Sequence, residues 1–176
     1  MSKIKLATVW LDGCSGCHMS LLDIDEGILA VARKADLVYG PLVDAQEFPE
    51  GVDVTLVEGA VSSQEDMKVV QLVRKRSRMI VALGDCAVTS NVSAMRNSVP
   101  VKKLLERIYV EDVQEGPGLP GDGVPALLKH ALPVHEVVKV DLHIPGCPPK
   151  PEAIMYVITE LLEGRKPDLT AKVKFG

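Results

Sequence analysis

The sequence predicts an α/β fold, a doubly wound and mostly parallel sheet in a single domain over residues 1–176. Three observations predict it. Short β-rich runs alternate with helix-period stretches along the chain, the order expected when each crossover between parallel strands is a helix. The strand runs are almost continuously apolar, as in VDVTLVEGAV, which suits strands covered on both faces. With 176 residues, 47% apolar and 25% charged, the chain can bury one sizeable core and is short for two.

The elements follow in order. The first run, Ile4 to Leu11, ends at the Asp12-Gly13 turn. After Ser20 the apolar residues Leu21, Ile24, Ile28, Val31 and Ala32 recur at near-helical spacing. Asp23, Asp25 and Glu26 stand early in that helix, where its dipole favours acid. ADLVYG (35–40) and VDVTLVEGAV (52–61) read as buried strands. Ser62-Ser63-Gln64-Glu65 has the form of a capping box and opens a helix whose apolar face is Val69, Val70, Leu72 and Val73. RMIVALGDC (78–86) is a strand ending in a glycine turn, with helices expected from Ala87 towards Arg96 and from Val101 to Ile108. EGPGLPGDGVP (115–125), within a Gly/Pro-rich loop over about 112–125, excludes regular structure and reads as a surface loop. VKVDLHIPGC (138–147) is the last strand run. Pro151 suits a first helical position; Ile154, Val157, Ile158, Leu161 and Leu162 then form one stripe, and Gly164 a stop. The whole alternation is flavodoxin-like in class.

The net charge of −4 implies no basic face, and it argues against a nucleic-acid partner. The RKRSR run (Arg74–Arg78) closes a helix, where positive charge complements the dipole, and reads as a solvated face. No apolar run has the length of a membrane span, and the N-terminus lacks the pattern of a signal peptide or a twin-arginine pair. A cytoplasmic location is therefore expected. In that reducing compartment four cysteines serve as ligands or reactive thiols before they serve as disulfides.

Those cysteines are Cys14, Cys17, Cys86 and Cys147, in the contexts LDGC, SGC, LGDC and IPGC. Each group lies just past an expected strand, and the carboxyl ends of parallel strands share one edge, where such folds hold ligands. Each cysteine also has a glycine within two residues, which lets backbone pass close to a bulky group. Four converging thiolates suit zinc or a [4Fe–4S] cluster. Structural zinc draws its ligands in two close pairs. Here one pair is close and two ligands come singly, which favours the cluster over zinc, over a redox CxxC and over buried structural thiols.

The neighbours carry sharper and plainer readings. Asp12, Gly13 and Gly16 border the first motif, and their backbone N–H groups are candidates to donate to cluster sulfurs or to form an ordinary turn. Glu58 is a candidate to tune the cluster or carry protons, with a capping or turn carboxylate as the simpler role. His18 is surplus to a complete set of four ligands and reads as an interface or helix-start residue. His130, His135 and His143 lack ligand spacing. Trp10 reads as a packed aromatic near the cluster edge.

WLDGCSGCHMSLLD, VEGAV, GDCAV and IPGCPPKPEAI together resemble the small subunit of [NiFe] hydrogenases, a family related to the cluster-bearing 20 kDa subunit of respiratory complex I. The resemblance runs from Trp10 to the last helix. It implies a flavodoxin-like domain holding one proximal [4Fe–4S] cluster through Cys14, Cys17, Cys86 and Cys147. The CSGC spacing is similar to the hydrogenase branch, since the complex I relatives carry two adjacent cysteines there. No further cysteine is left for a second cluster domain, which resembles the short small subunit of soluble NAD-reducing, bidirectional hydrogenases. The implied partners are a large subunit with the NiFe centre and diaphorase subunits with flavin and iron–sulfur clusters. No catalytic residue is expected on this chain. The alternatives are a subunit coupled to ferredoxin or another carrier, and a structural docking domain built on zinc held by the four cysteines; a bound flavin has no GxGxxG-like signature to support it.

Overall fold

The structure is a computed structural model that describes residues 3–170. Strand β1 (Ile4–Trp10) leads into helices α1 (Gly16–Leu22) and α2 (Gly27–Lys34), then β2 (Ala35–Tyr39) and β3 (Val52–Glu58). Strand β4 (Val61–Ser63) and helix α3 (Gln64–Arg76) precede β5 (Ser77–Leu83) and α4 (Asp85–Thr89). A 3-10 helix over Asn91–Ser98, α5 (Val101–Glu106) and a π turn over Arg107–Glu111 follow. Residues 112–126 form no regular element. The chain closes with β6 (Leu127–Leu132), α6 (Val134–Val137), β7 (Leu142–Ile144) and α7 (Pro151–Leu162).

The main sheet has five strands in the order β2-β1-β3-β5-β7, and every neighbouring pair is parallel. This is the doubly wound arrangement the alternation predicts. The chain leaves β1 for β2 on one side and returns to β3 on the other, which makes the β1/β3 boundary the switch point. Two apolar layers cover the faces. On one, Val9, Val57, Ile80 and Ala82 meet Val70 and Val73 of α3, Val88 of α4 and Val134 of α6. On the other, Leu6, Leu56, Val81 and Leu83 meet Ile154, Val157 and Ile158 of α7, with Leu21 of α1, Val31 of α2 and Ile24 between them alongside. Fully burying a side chain such as Ile154 is worth about 1.5–3 kcal/mol.

Several boundaries differ from the sequence expectation, each for a physical reason. The helix expected after Ser20 begins at Gly16 and breaks at residues 23–26, where Asp25 takes φ 53. Aspartate tolerates that left-handed conformation, and it lets α1 and α2 turn against each other. ADLVYG is an edge strand, paired only to β1, so its middle is exposed. VDVTLVEGAV is two strands. Gly59, at φ +95, turns the chain where an added Cβ would lie 2.8 Å from the Leu11 carbonyl carbon, and Val61–Ser63 pairs antiparallel with β6 instead. The capping box is shifted by one residue: Ser63 Oγ accepts Asp66 N–H at 3.1 Å, and Asp66 Oδ2 accepts Ser63 N–H at 2.8 Å. The helix expected over Ala87–Arg96 divides at Ser90 and Asn91, whose φ values are 65 and 30, and the Val101–Ile108 helix gives way to the π turn after Glu106. Of the last strand run only Leu142–Ile144 is a strand.

Arg74 and Arg76 are not a solvated face. Arg74 donates to Asp141 Oδ2 at 2.7 Å and to the carbonyls of Lys139, Ser77 and Arg78, while Arg76 donates to Phe48 O. Arg74 thereby ties the end of α3 to the start of β5 and to the segment entering β7. No helix among the described residues is long and apolar enough to cross a membrane.

Candidate metal centre at the carboxyl edge of the sheet

Three strand ends supply the four cysteines. Cys14 and Cys17 follow β1, Cys86 is the second residue of α4 after β5, and Cys147 follows β7. All four are free thiols; Cys17 is buried, Cys86 half-buried, and Cys14 and Cys147 are exposed. Their mutual proximity shows in their electrostatics. Burial pushes the Cys17 thiol well up from its ordinary value, and Glu58, Cys86, Cys14 and Cys147 push it further. Cys86 is also raised, by burial first and then by Cys147, Cys14 and Asp12, while the Val92 backbone N–H pulls the other way. Among the described residues no three His, Cys, Asp or Glu side chains are drawn up around a position for one ion.

The backbone makes room for a bulky group. Gly84 takes φ 82 and ψ 163, and a Cβ there would lie 2.2 Å from Cys17 Sγ. Only glycine fits between β5 and that sulfur. Gly16 N–H donates to Cys14 Sγ at 3.4 Å. N–H groups aimed at thiolates favour the more negative state of whatever the sulfurs bind.

Glu58 ends β3 at the switch point and is 1% exposed. Its Oε1 accepts Cys17 N–H at 3.3 Å and its Oε2 accepts His18 N–H at 2.9 Å; His18 Nδ1 pairs closely with Oε2. Ser15, the residue before α1, is left-handed and caps nothing with its side chain. Glu58 therefore caps α1 from across the sheet and fixes the helix start that carries Cys17. His18 stands in the first turn of α1, buried, with Nε2 unpartnered, and lines an apolar cavity of about 160 Å³ beneath α1 and α2. Of its two expected roles the helix-start one holds, and burial removes the interface one.

The remaining neighbours stand as follows. Asp12 exchanges backbone hydrogen bonds with Ala60, and its carbonyl accepts Ser93 Oγ–H at 3.1 Å. Gly13 passes against Gly59, so the loops after β1 and β3 touch. Trp10 is not packed inside: it is 51% exposed, with its indole N–H donating to Gly13 O at 3.1 Å. His143 packs edge-to-face on His135, and burial, together with the neighbouring His135, lowers its pKa. Two residues escaped the sequence reading. Ser20 Oγ–H donates to Pro149 O at 2.5 Å, joining α1 to the Cys147 loop, and Asp85 joins the Cys86 loop to the same segment.

Fold and site together are a flavodoxin-like sheet with four free cysteine thiols just past three strand ends at its switch-point edge. The sequence matches the family described as NADH ubiquinone oxidoreductase, 20 Kd subunit, over residues 14–161, and the chain belongs to that family. It is 38% identical over 176 residues to the delta subunit of the NAD-reducing hydrogenase HoxS of Cupriavidus necator, covering 97% of this chain and 84% of that one. It is 37% identical over 172 residues to a subunit of the F420-non-reducing hydrogenase vhu of Methanocaldococcus jannaschii, covering 97% of this chain. It spans 60% of that methanogen protein's length. In structure it matches a chain of an NAD+-reducing [NiFe]-hydrogenase in the H2-reduced state, with a TM-score of 0.95, 39% identity, and 99% and 100% of the two chains covered.

Proposed function

We propose that this chain is the electron-transfer small subunit of a soluble, cytoplasmic [NiFe] hydrogenase. Cys14, Cys17, Cys86 and Cys147 hold one proximal [4Fe–4S] cluster, between the NiFe centre of a large subunit and a diaphorase module that reduces NAD. One observation carries the reading: four free thiols lie just past three strand ends on one edge of the sheet, with Cys17 within electrostatic reach of the other three. The family and the two hydrogenase relatives support it.

When bound, such a cluster takes up and releases a single electron. The chain's own residues hold and orient. Glu58 sets Cys17 through its backbone N–H, Gly84 leaves space beside Cys17 Sγ, and Gly16 offers its N–H to Cys14. Cys14 and Cys147 are exposed, as are the apolar Trp10, Met19, Val92 and Met95 that follow the same strand ends in the chain, which suits contact with a partner subunit.

Purification without oxygen should yield about four irons and four sulfides per chain. Cys86→Ser should leave the cluster incomplete and slow hydrogen-dependent NAD reduction greatly. Hydrogen–deuterium exchange, which needs only the large subunit's centre, should suffer less. Stoichiometric zinc without sulfide would overturn the reading in favour of a structural docking domain.

A further inference from the structure

Cys147 is exposed, so packing does not fix it as it fixes the buried Cys17. Its place is set by the residues on either side. Three prolines follow it, at 148, 149 and 151, and only Lys150 among residues 148–151 has a backbone N–H. The stretch therefore has few hydrogen bonds to close on itself. It folds back tightly all the same. Gly146 takes φ +140, and a Cβ there would lie 2.5 Å from Pro149 Cα and 2.7 Å from Pro149 N. Gly146 and Pro149 thus stand against each other, with Cys147 in the turn between them. Whatever holds Pro149 holds this turn.

Ser20 reaches it from another element. Its Oγ–H donates to Pro149 O at 2.5 Å across 129 positions of chain, and Ser20 is 3% exposed. A serine inside a helix commonly turns its hydroxyl to the carbonyl four residues back. Here it goes to a separate segment instead. Ser20 stands three residues after Cys17 in α1, on the same side of the helix. The bond therefore ties the helix that carries Cys17 to the turn that carries Cys147. No sheet ladder can do this, because β3 and β5 lie between β1 and β7. From the other direction, Asp85 N–H donates to Gly146 O at 2.9 Å. The backbone after β5 thus holds the turn before Cys147, and Ser20 holds it after.

We infer that Ser20 is a positioning residue: by latching the Cys147 turn to α1 it fixes Cys147 relative to Cys17, and with it how firmly the cluster keeps its iron. The inference rests on the [4Fe–4S] reading. The latch joins a hydroxyl to a carbonyl, both neutral, so it holds at any pH at which the chain is folded. With one end of the turn released, the exposed Cys147 is free to swing away from the other ligands.

The test uses the full chain purified without oxygen, as wild type, Ser20→Ala and Ser77→Ala. Ser77 Oγ pairs with Thr55 Oγ1 at 2.7 Å, also buried, at the start of β5 and so at the end of the sheet opposite the cysteines. Its variant reports what losing one buried hydroxyl does to stability alone. Iron and sulfide are counted, iron release to a chelator is timed, the reduced cluster is examined by paramagnetic resonance, and urea midpoints are measured. Ser20→Ala should load iron and sulfide as wild type does, then release iron about fivefold faster, the factor one hydrogen bond is worth, with an altered resonance spectrum. Ser77→Ala should keep the wild-type rate and spectrum despite a lower urea midpoint. A wild-type rate or a wild-type spectrum in Ser20→Ala, or an equal acceleration in Ser77→Ala, overturns the inference. Wild-type chain without iron and sulfide overturns the cluster reading itself, and that result is seen before any variant is compared.

Discussion

Glu58 satisfies three donors with two oxygens: the Cys17 N–H, the His18 N–H and the His18 ring. Truncating it leaves all three buried without a partner. Glu58→Ala should therefore cost about 3 kcal/mol or more, measured as a lower urea midpoint of the purified chain, and should loosen Cys17 from its place. An unchanged midpoint would show that water replaces the carboxylate at no cost. The cysteines themselves were legible from sequence, because glycine-flanked residues just past apolar runs fall at strand ends whatever the details of packing. The partners of His18 and Asp85 were not, since they lie 40 and 61 positions away and no local pattern announces them.

At the scale of elements, the Arg74–Asp141 link joins α3, β5 and the entry to β7. Burial pushes the Asp141 carboxyl up, but the Ile80 N–H, the Arg74 bond and charge, and Lys139 outweigh it and hold the pKa below the ordinary value. A carboxyl depressed in the folded state adds stability above its unfolded pKa and loses it as pH falls through the folded one. Asp141→Asn should therefore destabilise the chain at neutral pH and flatten its stability profile below about pH 4. Urea midpoints taken across pH check this; a variant with the wild-type acid slope would count against it. Helix α7 was readable as an amphipathic stripe with Pro151 at its start, and the stripe residues Ile154, Val157 and Ile158 are buried. Strand β6 was missed. LLKHAL mixes charge into a short run, and its strand character comes from pairing with β4, which is itself three residues long.

For the whole molecule, the doubly wound sheet places every cysteine just past a strand end on one edge; Trp10, at the end of β1, and Met95, in the 3-10 helix after the Cys86 loop, are 51% and 75% exposed. Under the proposed function a partner covers this edge. Met95→Glu should weaken retention of the large subunit on size-exclusion chromatography while leaving the chain's own melting temperature within a few degrees; full retention would place the interface elsewhere. The sequence by itself determined the α/β class, the strand-end placement of Cys14, Cys17, Cys86 and Cys147, and the family, because periodicity and short motifs are local properties of the chain. The tertiary structure alone decided the strand order, the burial of His18 against Glu58, the exposure of Trp10 and the bond from Asp85 to Gly146. Those depend on which distant segments meet, and contact between residues tens of positions apart is set by how the sheet packs, not by any pattern a window of sequence contains.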